Sequence, residues 1–542
     1  DDLKPNEIYI ATGAHNSALW GELLTACGKA RGAVGAVLDG YTRDTPKVIE
    51  QNFPVFCTGT WAQDSSVRTY VFQWRCPIEI GQVTIHNGDI VFGDIDGVLI
   101  IPKEIASEVL EKALEKASTE KTMRKAIETN GESLVQGFRN FLDDLSAGNI
   151  RMTDPGDFKV GKNLALTAGK VVFRNRLLEV IHYAPSQPRV HQVPVVIVTP
   201  WINKFYILDL NPKKSLVRYL LDQGLDVFIT SWKNPGEDMR DVRFDDYLTE
   251  GIQSLVDTAR GVSGAARVHA IGYCIGGTAL TTYMAWANRH HTPEDVPVAH
   301  CTLFTTLVDF HKPGDIEVFV DEGSIRFLTQ NMARKGYLDG AEMASAFRLL
   351  RSNSLIWHYV VHGWLYGETP PPFDVLYWNM DTTRMPYAMH AWYLRELYLH
   401  NRLIDKDALT VAGEPIDLGR ITQPVYAVGA EDDHIAPWRQ TFKTLNHLSG
   451  PKRFVLSSSG HILGIVNPPV DPPKRHFWVG PARRTDTADG WQGGASHQTG
   501  SWWTDWMAWL KPQCGDLVDA PPVATEAFPA LADAPGTYVL ER

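Results

Sequence analysis

Arg267–Leu280 reads RVHAIGYCIGGTAL, and this stretch decides the fold. An apolar run, Arg267–Tyr273, leads into Gly272-Tyr273-Cys274-Ile275-Gly276, and small residues suited to a helix follow. The pattern G-x-C-x-G is a nucleophile elbow with cysteine where serine usually stands. A sharp strand-to-helix turn forces a strained backbone at its central residue. Any Cβ at Gly272 or Gly276 would then meet neighbouring main chain. The same turn sets the sulfur at the start of a helix, where free N–H groups and the helix dipole favour a thiolate and later an oxyanion. Taken alone, a buried cysteine beside a tight turn fits the pattern equally well.

The surrounding chain shifts that balance. The elbow needs an acid and then a histidine downstream, each just past the end of a strand. The run Pro424–Val428 is followed by Gly429-Ala430-Glu431-Asp432-Asp433-His434-Ile435-Ala436-Pro437-Trp438. The run Arg453–Leu456 is followed by Ser457-Ser458-Ser459-Gly460-His461. His461 is the expected general base, and an aspartate would orient it. Spacing leaves Asp432 and Asp433 as alternatives. His434 is expected to support the site by hydrogen bonding rather than to react. The N–H of Ile275 is one expected oxyanion donor. A second should come from the loop after Val193–Thr199, near Trp201 or Ile202.

Six apolar, β-branched runs recur in this part of the chain: Val193–Thr199, Asp226–Trp232, Arg267–Tyr273, Thr302–Leu307, Pro424–Val428 and Arg453–Leu456. Continuous hydrophobicity is the mark of strands buried on both faces of a parallel sheet. Helical stretches such as Lys214–Gln223 and Phe244–Ala259 lie between them, giving a doubly wound α/β pattern. Between Leu307 and Pro424 the pattern breaks into a helical, aromatic-rich stretch holding Trp357, Trp364, Trp378 and Trp392. It is too long for a loop and is expected to be an inserted cap. Residues 1–130 read differently, as short β runs (Glu7–Ala11, Ala33–Leu38, Asp89–Phe92, Val98–Ile101) and one helix over Lys103–Glu128. The expected organisation is a partial α/β module over 1–130 and a connecting region over 131–185. An α/β core over 186–310 and 419–512, a cap over 311–418 and an extended Ala/Pro-rich tail over 513–542 complete it.

Bulk properties narrow the function. At ~150 residues per domain, 542 residues suggest three or four domains, fewer if one α/β domain is large. The composition is that of a globular protein, 44% hydrophobic and 21% charged. The net charge of -11 argues against broad nucleic-acid binding. Of 17 tryptophans only Trp20, Trp61 and Trp74 fall in the first 200 residues, which marks two unlike parts. The six cysteines form no CxxC pair, so neither a zinc site nor a disulfide framework is expected, and a reducing, cytoplasmic setting is. The longest apolar candidate, around Val193–Ile202, contains Pro194 and Pro200, so no membrane span is expected. The opening DDLKPNE has no signal-peptide pattern and no initiator Met, so an internal or processed start is expected.

These residues resemble a class I polyhydroxyalkanoate synthase from about Ser133 to Arg542. The carrying motifs are TPWINKFYILDLNPKKSLVRYLLDQGLDVFITSW (199–232), GYCIGGT (272–278), FDVLYWNMDTTRMP (373–386), AEDDHIAPW (430–438), SSGHILGIVNPP (458–469) and GSWWTDWMAWL (500–510). The resemblance implies an α/β-hydrolase core with a helical cap and a triad of Cys274, Asp433 and His461. It selects Asp433 because the family's aspartate directly precedes the His-Ile of D-H-I-x-P-W. It implies an (R)-3-hydroxyacyl-coenzyme A substrate, short-chain by Gly-Tyr-Cys-Ile-Gly-Gly and the closing PGTYVLER. No metal or other cofactor is expected. The resemblance also implies attachment to the polymer granule surface and an active homodimer. A thiol hydrolase or depolymerase on the same scaffold is the alternative, with water as acceptor.

Residues 1–130 are similar to the C-terminal half of the family of the regulator of ribonuclease activity A and 4-hydroxy-4-methyl-2-oxoglutarate aldolases. The motifs are WGELLTACGKARG (20–32), DGYTRD (39–44) and NGDIVFGDIDGVLIIP (87–102). In that resemblance Arg43 would hold a pyruvyl carboxylate, Asp44 would help hold a divalent metal, and Gly21-Glu22-Leu23-Leu24 would form a substrate loop. Half of that domain would lie before Asp1. The expectation is therefore an incomplete or regulatory module, with an aldolase in a bifunctional fusion as the alternative.

Overall fold

The computed structural model describes residues 2–66, 68–154, 156, 158–350 and 352–542. The chain divides into two compact units, Asp1–Ser133 and Leu134–Arg542.

The first unit is built on a three-stranded parallel sheet, Ile8–Trp20, Gly35–Thr42 and Val55–Thr60, in sequence order. Two β-hairpins follow, Ile78–Ile80 with Val83–Ile85 and Ile90–Asp94 with Gly97–Ile101, and then the helix Ala106–Glu128. Its core is small: Trp20, Ala33, Ala36, Leu38 and Phe53, with the Trp20 and Phe53 rings stacked 5.9 Å apart.

The second unit is organised by one eleven-stranded sheet. Its strands, numbered in chain order, are β1 (Gly169–Arg174), β2 (Leu178–Tyr183), β3 (Val195–Val198), β4 (Val227–Trp232), β5 (Val268–Tyr273) and β6 (Val298–Phe304). Then come β7 (Val425–Ala430), β8 (Lys452–Ser457), β9 (His476–Ala482), β10 (Ser496–Thr499) and β11 (Ala532–Asp533). The spatial order is β10-β9-β8-β7-β6-β5-β3-β4-β2-β1-β11. The six strands β3 to β8 pair in parallel, and each corresponds to one of the apolar runs of the sequence. All pairings outside them are antiparallel. Apolar cores cover both faces, as a parallel sheet requires.

Three features differ from the sequence reading. The strand expected over Thr302–Leu307 is β6 and lies earlier, ending where Thr305 turns to φ +40°. His300 within it masked its start. The flanking strands β1, β2 and β11 fall outside 186–310 and 419–512, because Lys170, Glu179 and His182 interrupt any apolar run. The extended tail is docked: Leu517–Asp519 pairs with Arg189–His191, and β11 pairs with β1.

Helices fill the stretch between β6 and β7, including Glu322–Lys335, Gly340–Leu350, Asp374–Met380 and Tyr387–Tyr393. Asp321 caps the first of these, its carboxylate accepting the N–H groups of Gly323 and Ser324. The amphipathic helix Glu132–Ala147 packs on this insertion. The Asn140 amide donates to the Gly363 carbonyl (2.9 Å), and the Trp364 indole donates to Asp144 (2.9 Å). A Cβ at Gly137 would stand 2.0 Å from the Trp364 carbonyl oxygen, so only glycine permits this approach.

Buried histidines make this fold acid-sensitive. His269 on β5 and His300 on β6 share one hydrogen bond, Nδ1 to Nδ1, at 2.6 Å. Burial and then the neighbouring His300 drive His269 well below the ordinary histidine range. Burial lowers His300 and His390 to about 4. The unfolded chain takes up these protons near pH 6.5, whereas the folded chain holds them off until about 4. The contribution of these histidines is therefore full above pH 6.5 and falls between 6.5 and 4, by about 3 kcal/mol for each of His300 and His390. Denaturant melts across that window should show this slope, and His390→Leu should flatten it.

Candidate active site

β5 ends at Tyr273, and the helix Ile275–His290 begins one residue later. Cys274 is the hinge, at φ +52° and ψ -122°, a conformation that L-residues rarely adopt. The surroundings fix it there. The Cys274 N–H donates to the Phe304 carbonyl on β6 (2.9 Å), and its own carbonyl accepts from Gly277 (2.9 Å). The glycines behave as the sequence reading requires. A Cβ at Gly272 would stand 2.5 Å from the Gly277 Cα, and one at Gly276 would stand 2.5 Å from the Val198 carbonyl oxygen. Gly277 is equally constrained, since its Cβ would fall 1.9 Å from the Thr306 Oγ1.

Asp433 follows β7 and His461 follows β8, so both stand at the same end of the sheet as Cys274. His461 Nδ1 lies 2.6 Å from Asp433 Oδ2, and both side chains are buried. The other carboxylate oxygen of Asp433 accepts the backbone N–H groups of Ile435 (2.9 Å) and Ala436 (2.8 Å). Asp432 is exposed, so of the two neighbours Asp433 is the one facing the imidazole. Cys274 lies near enough to His461 for its charge to act on the imidazole. Burial alone would lower the His461 pKa. The charges of Asp433 and Cys274 and the hydrogen bond with Asp433 outweigh burial and raise it to about 10. The arrangement favours an imidazolium beside sulfur.

The remaining candidates are placed as follows. Ile275 opens the helix after Cys274, so its N–H has no carbonyl within the helix to bond. Ile202 lies in the loop after β3 and packs its side chain on the core. Gly276 stands against the Thr199 carbonyl at the start of that loop, bringing loop and elbow together. The His434 carbonyl accepts the Asp315 N–H (2.9 Å).

Sequence reasoning missed two tyrosines. Burial is the main cause that raises Tyr393 and Tyr398 above the ordinary phenol range, and the nearby Cys274 sulfur adds to it for both. The two rings pack around Phe310, at 6.0 and 4.8 Å. They arrive from the inserted helices, more than a hundred residues away in the chain, and no local motif announces them. Trp502, Trp503 and Trp506 of SWWTDWMAWL are core, and the half-buried Trp509 packs against them. The Trp502 and Trp503 indoles donate to the Gly464 and Ile465 carbonyls (2.8 and 3.0 Å), which braces the turn after His461.

In the first unit, Arg43 pairs with Asp44 (3.3 Å) and with Asp64 (3.2 Å). Asp44 is left-handed at φ +54°, just before the helix Thr45–Glu50. A Cβ at Gly21 would stand 2.8 Å from the Asp44 carboxylate. Among the described residues no group of three or more His, Cys, Asp or Glu is arranged to hold a metal ion. No helix among them is long and apolar enough to cross a membrane.

Residues 107–220 match the family model of the poly-beta-hydroxybutyrate polymerase N-terminus, and residues 194–468 match that of the alpha/beta hydrolase fold. Residues 1–100 match the Aldolase/RraA model. The first and third matches meet between residues 100 and 107, ahead of the division between the compact units at Ser133. The chain is 43% identical to a poly(3-hydroxyalkanoate) polymerase of Methylorubrum extorquens, over 77% of this chain and 69% of that one. It is 42% identical to a poly(3-hydroxyalkanoate) polymerase subunit of Cupriavidus necator, over 78% of this chain and 72% of that one. A solved structure of an RraA-family protein of Streptomyces coelicolor is 31% identical over 23% of this chain and 64% of that chain, with a TM-score of 0.21.

Proposed function

The chain belongs to the poly(3-hydroxyalkanoate) polymerase family and is an acyltransferase, and we propose that Cys274, His461 and Asp433 are its catalytic triad. The observation that carries this reading is the buried His461–Asp433 pair at 2.6 Å, standing at the same end of the sheet as the strained elbow residue Cys274. Cys274 attacks the thioester carbonyl of (R)-3-hydroxybutyryl-coenzyme A. The N–H groups of Ile275 and Ile202 receive the developing oxyanion. The coenzyme A thiolate leaves with the proton from His461, and an acyl-cysteine remains. His461 then takes the proton of the 3-hydroxyl on a second substrate or chain end. That oxygen attacks the acyl-cysteine, an ester forms and Cys274 is released.

The two steps differ in driving force. Thioester to thioester is nearly balanced, so acylation is reversible. Thioester to oxygen ester runs downhill, so transfer to hydroxyl drives chain growth. A cysteine nucleophile preserves the activation that a serine ester would give away.

The test is incubation of the purified chain with (R)-3-hydroxybutyryl-coenzyme A, following thiol release and turbidity together. Polyester that accumulates with thiol supports the reading. Thiol release with soluble 3-hydroxybutyrate as the main product would replace it with a hydrolase.

A further inference from the structure

Lys204 is a cation where cations are rarely placed. It lies in the loop after β3, and the residue is 3% exposed. Its Nζ donates to the Val539 carbonyl at 3.0 Å and to the Glu541 carbonyl. Two main-chain carbonyls near the end of the sequence, that of the buried Val539 and that of the half-buried Glu541, thus take a donor from this side chain.

Those residues are themselves fixed to the sheet. The N–H groups of Thr537 and Tyr538 donate to Glu179 on β2, at 2.9 and 3.0 Å. Glu179 is fully buried and paired with Arg174 at 2.6 Å. Val539 is buried in the core. The segment also reaches the insertion, since the Arg384 guanidinium donates to the Arg542 carbonyl (2.9 Å).

The same loop is gripped from the other side. The Trp378 indole donates to the Lys204 carbonyl (2.6 Å), and the Thr383 hydroxyl donates to the Trp201 carbonyl (2.7 Å). Asn203 forms an isolated bridge with Thr382. Ile202, the candidate second oxyanion donor, therefore sits between anchors at 201, 203 and 204.

We propose that residues 537–542 form a latch that sets the loop 201–204 through Lys204, making Lys204 and Trp378 positioning residues for the Ile202 N–H. This rests on the catalytic reading above. An oxyanion donor acts only when it is held in place before charge develops, and displacement by about an ångström costs about a hundredfold. Lys204→Met removes the donor to two carbonyls without shortening the chain. Trp378→Phe removes the indole N–H and keeps most of the packing.

The experiment measures kcat and KM for thiol release from (R)-3-hydroxybutyryl-coenzyme A and the rate of Cys274 alkylation by iodoacetamide. Both variants and the parent full chain are compared. The expected result is a kcat about tenfold to a hundredfold lower, with KM within about twofold and alkylation unchanged. Alkylation needs only Cys274 and His461, so a general loss of structure would lower it in parallel. A folded Lys204→Met with parental kcat, or alkylation falling with kcat, overturns the latch. If Lys204→Met does not fold, a parental kcat in Trp378→Phe overturns it. Activity surviving in Cys274→Ala overturns the catalytic reading instead.

Discussion

Cys274→Ala is expected to slow coenzyme A release from (R)-3-hydroxybutyryl-coenzyme A by about ten-thousandfold or more. The size follows from the absence of a substitute. Cys301 and Cys514 are the other cysteines of the second unit, and burial pushes both thiols up to about 12. Neither offers a thiolate at neutral pH. The proposed donors at Ile275 and Ile202 remain in the variant but would have no tetrahedral adduct to stabilise. The fold should persist, because the strained turn is fixed by Phe304, Gly277 and the close-packed glycines rather than by the sulfur. Cys274→Ser adds a second point. An oxygen nucleophile turns the acyl-enzyme into an ordinary ester, so transfer to hydroxyl loses its downhill step. A slow first acylation without chain growth is the expected outcome. It is read as intact-mass gain on the protein with thiol release near one equivalent. Turnover above about a tenth of the parent in Cys274→Ala would remove Cys274 from the reaction, well short of the loss expected for a nucleophile.

What the sequence made legible follows from burial. Strands β3 to β8 are covered on both faces, so each reads as a mainly apolar run, with His269 on β5 and His300 on β6 as the buried exceptions. Cys274, Asp433 and His461 each stand just past a strand end, where the apolar run stops and a polar residue is conspicuous. The antiparallel flank was illegible because its charges are neutralised by distant partners. Glu179 is tolerated inside β2 only because Arg174, Thr537 and Tyr538 satisfy it, and Thr537 lies 358 residues away. Nothing local in the sequence marks Lys204 as buried, since the Val539 and Glu541 carbonyls that take its protons lie more than 300 residues away. The choice of Asp433 over Asp432 is also spatial. It depends on a turn that aims the Ile435 and Ala436 N–H groups at one carboxylate oxygen and leaves the other for His461.

Asp433→Asn tests that turn directly and should cost about ten-thousandfold in kcat. The substituted amide can keep the fold, because its oxygen still accepts from Ile435 and Ala436. Its NH2 then faces His461 Nδ1, which must become an acceptor. The imidazole proton moves to Nε2, the nitrogen that has to take the proton from Cys274. The base is present and correctly placed, but in the wrong tautomer. The charge changes as well. In the parent, Asp433 is the largest influence holding the buried His461 up at about 10. Without it, burial prevails and the His461 pKa falls. Linkage gives the sign for stability. A histidine raised above its unfolded value of about 6.5 stabilises the fold fully below pH 6.5. That contribution is lost as the pH rises through about 10. The parent should therefore lose stability between pH 6.5 and 10, whereas Asp433→Asn should be less stable at neutral pH and nearly flat across the same interval. Nitrogen-15 histidine spectra read the protonation, and denaturant melts read the slope. An Asp433→Asn chain with parental kcat, or with the parental alkaline slope, would show that Asp433 does not govern His461.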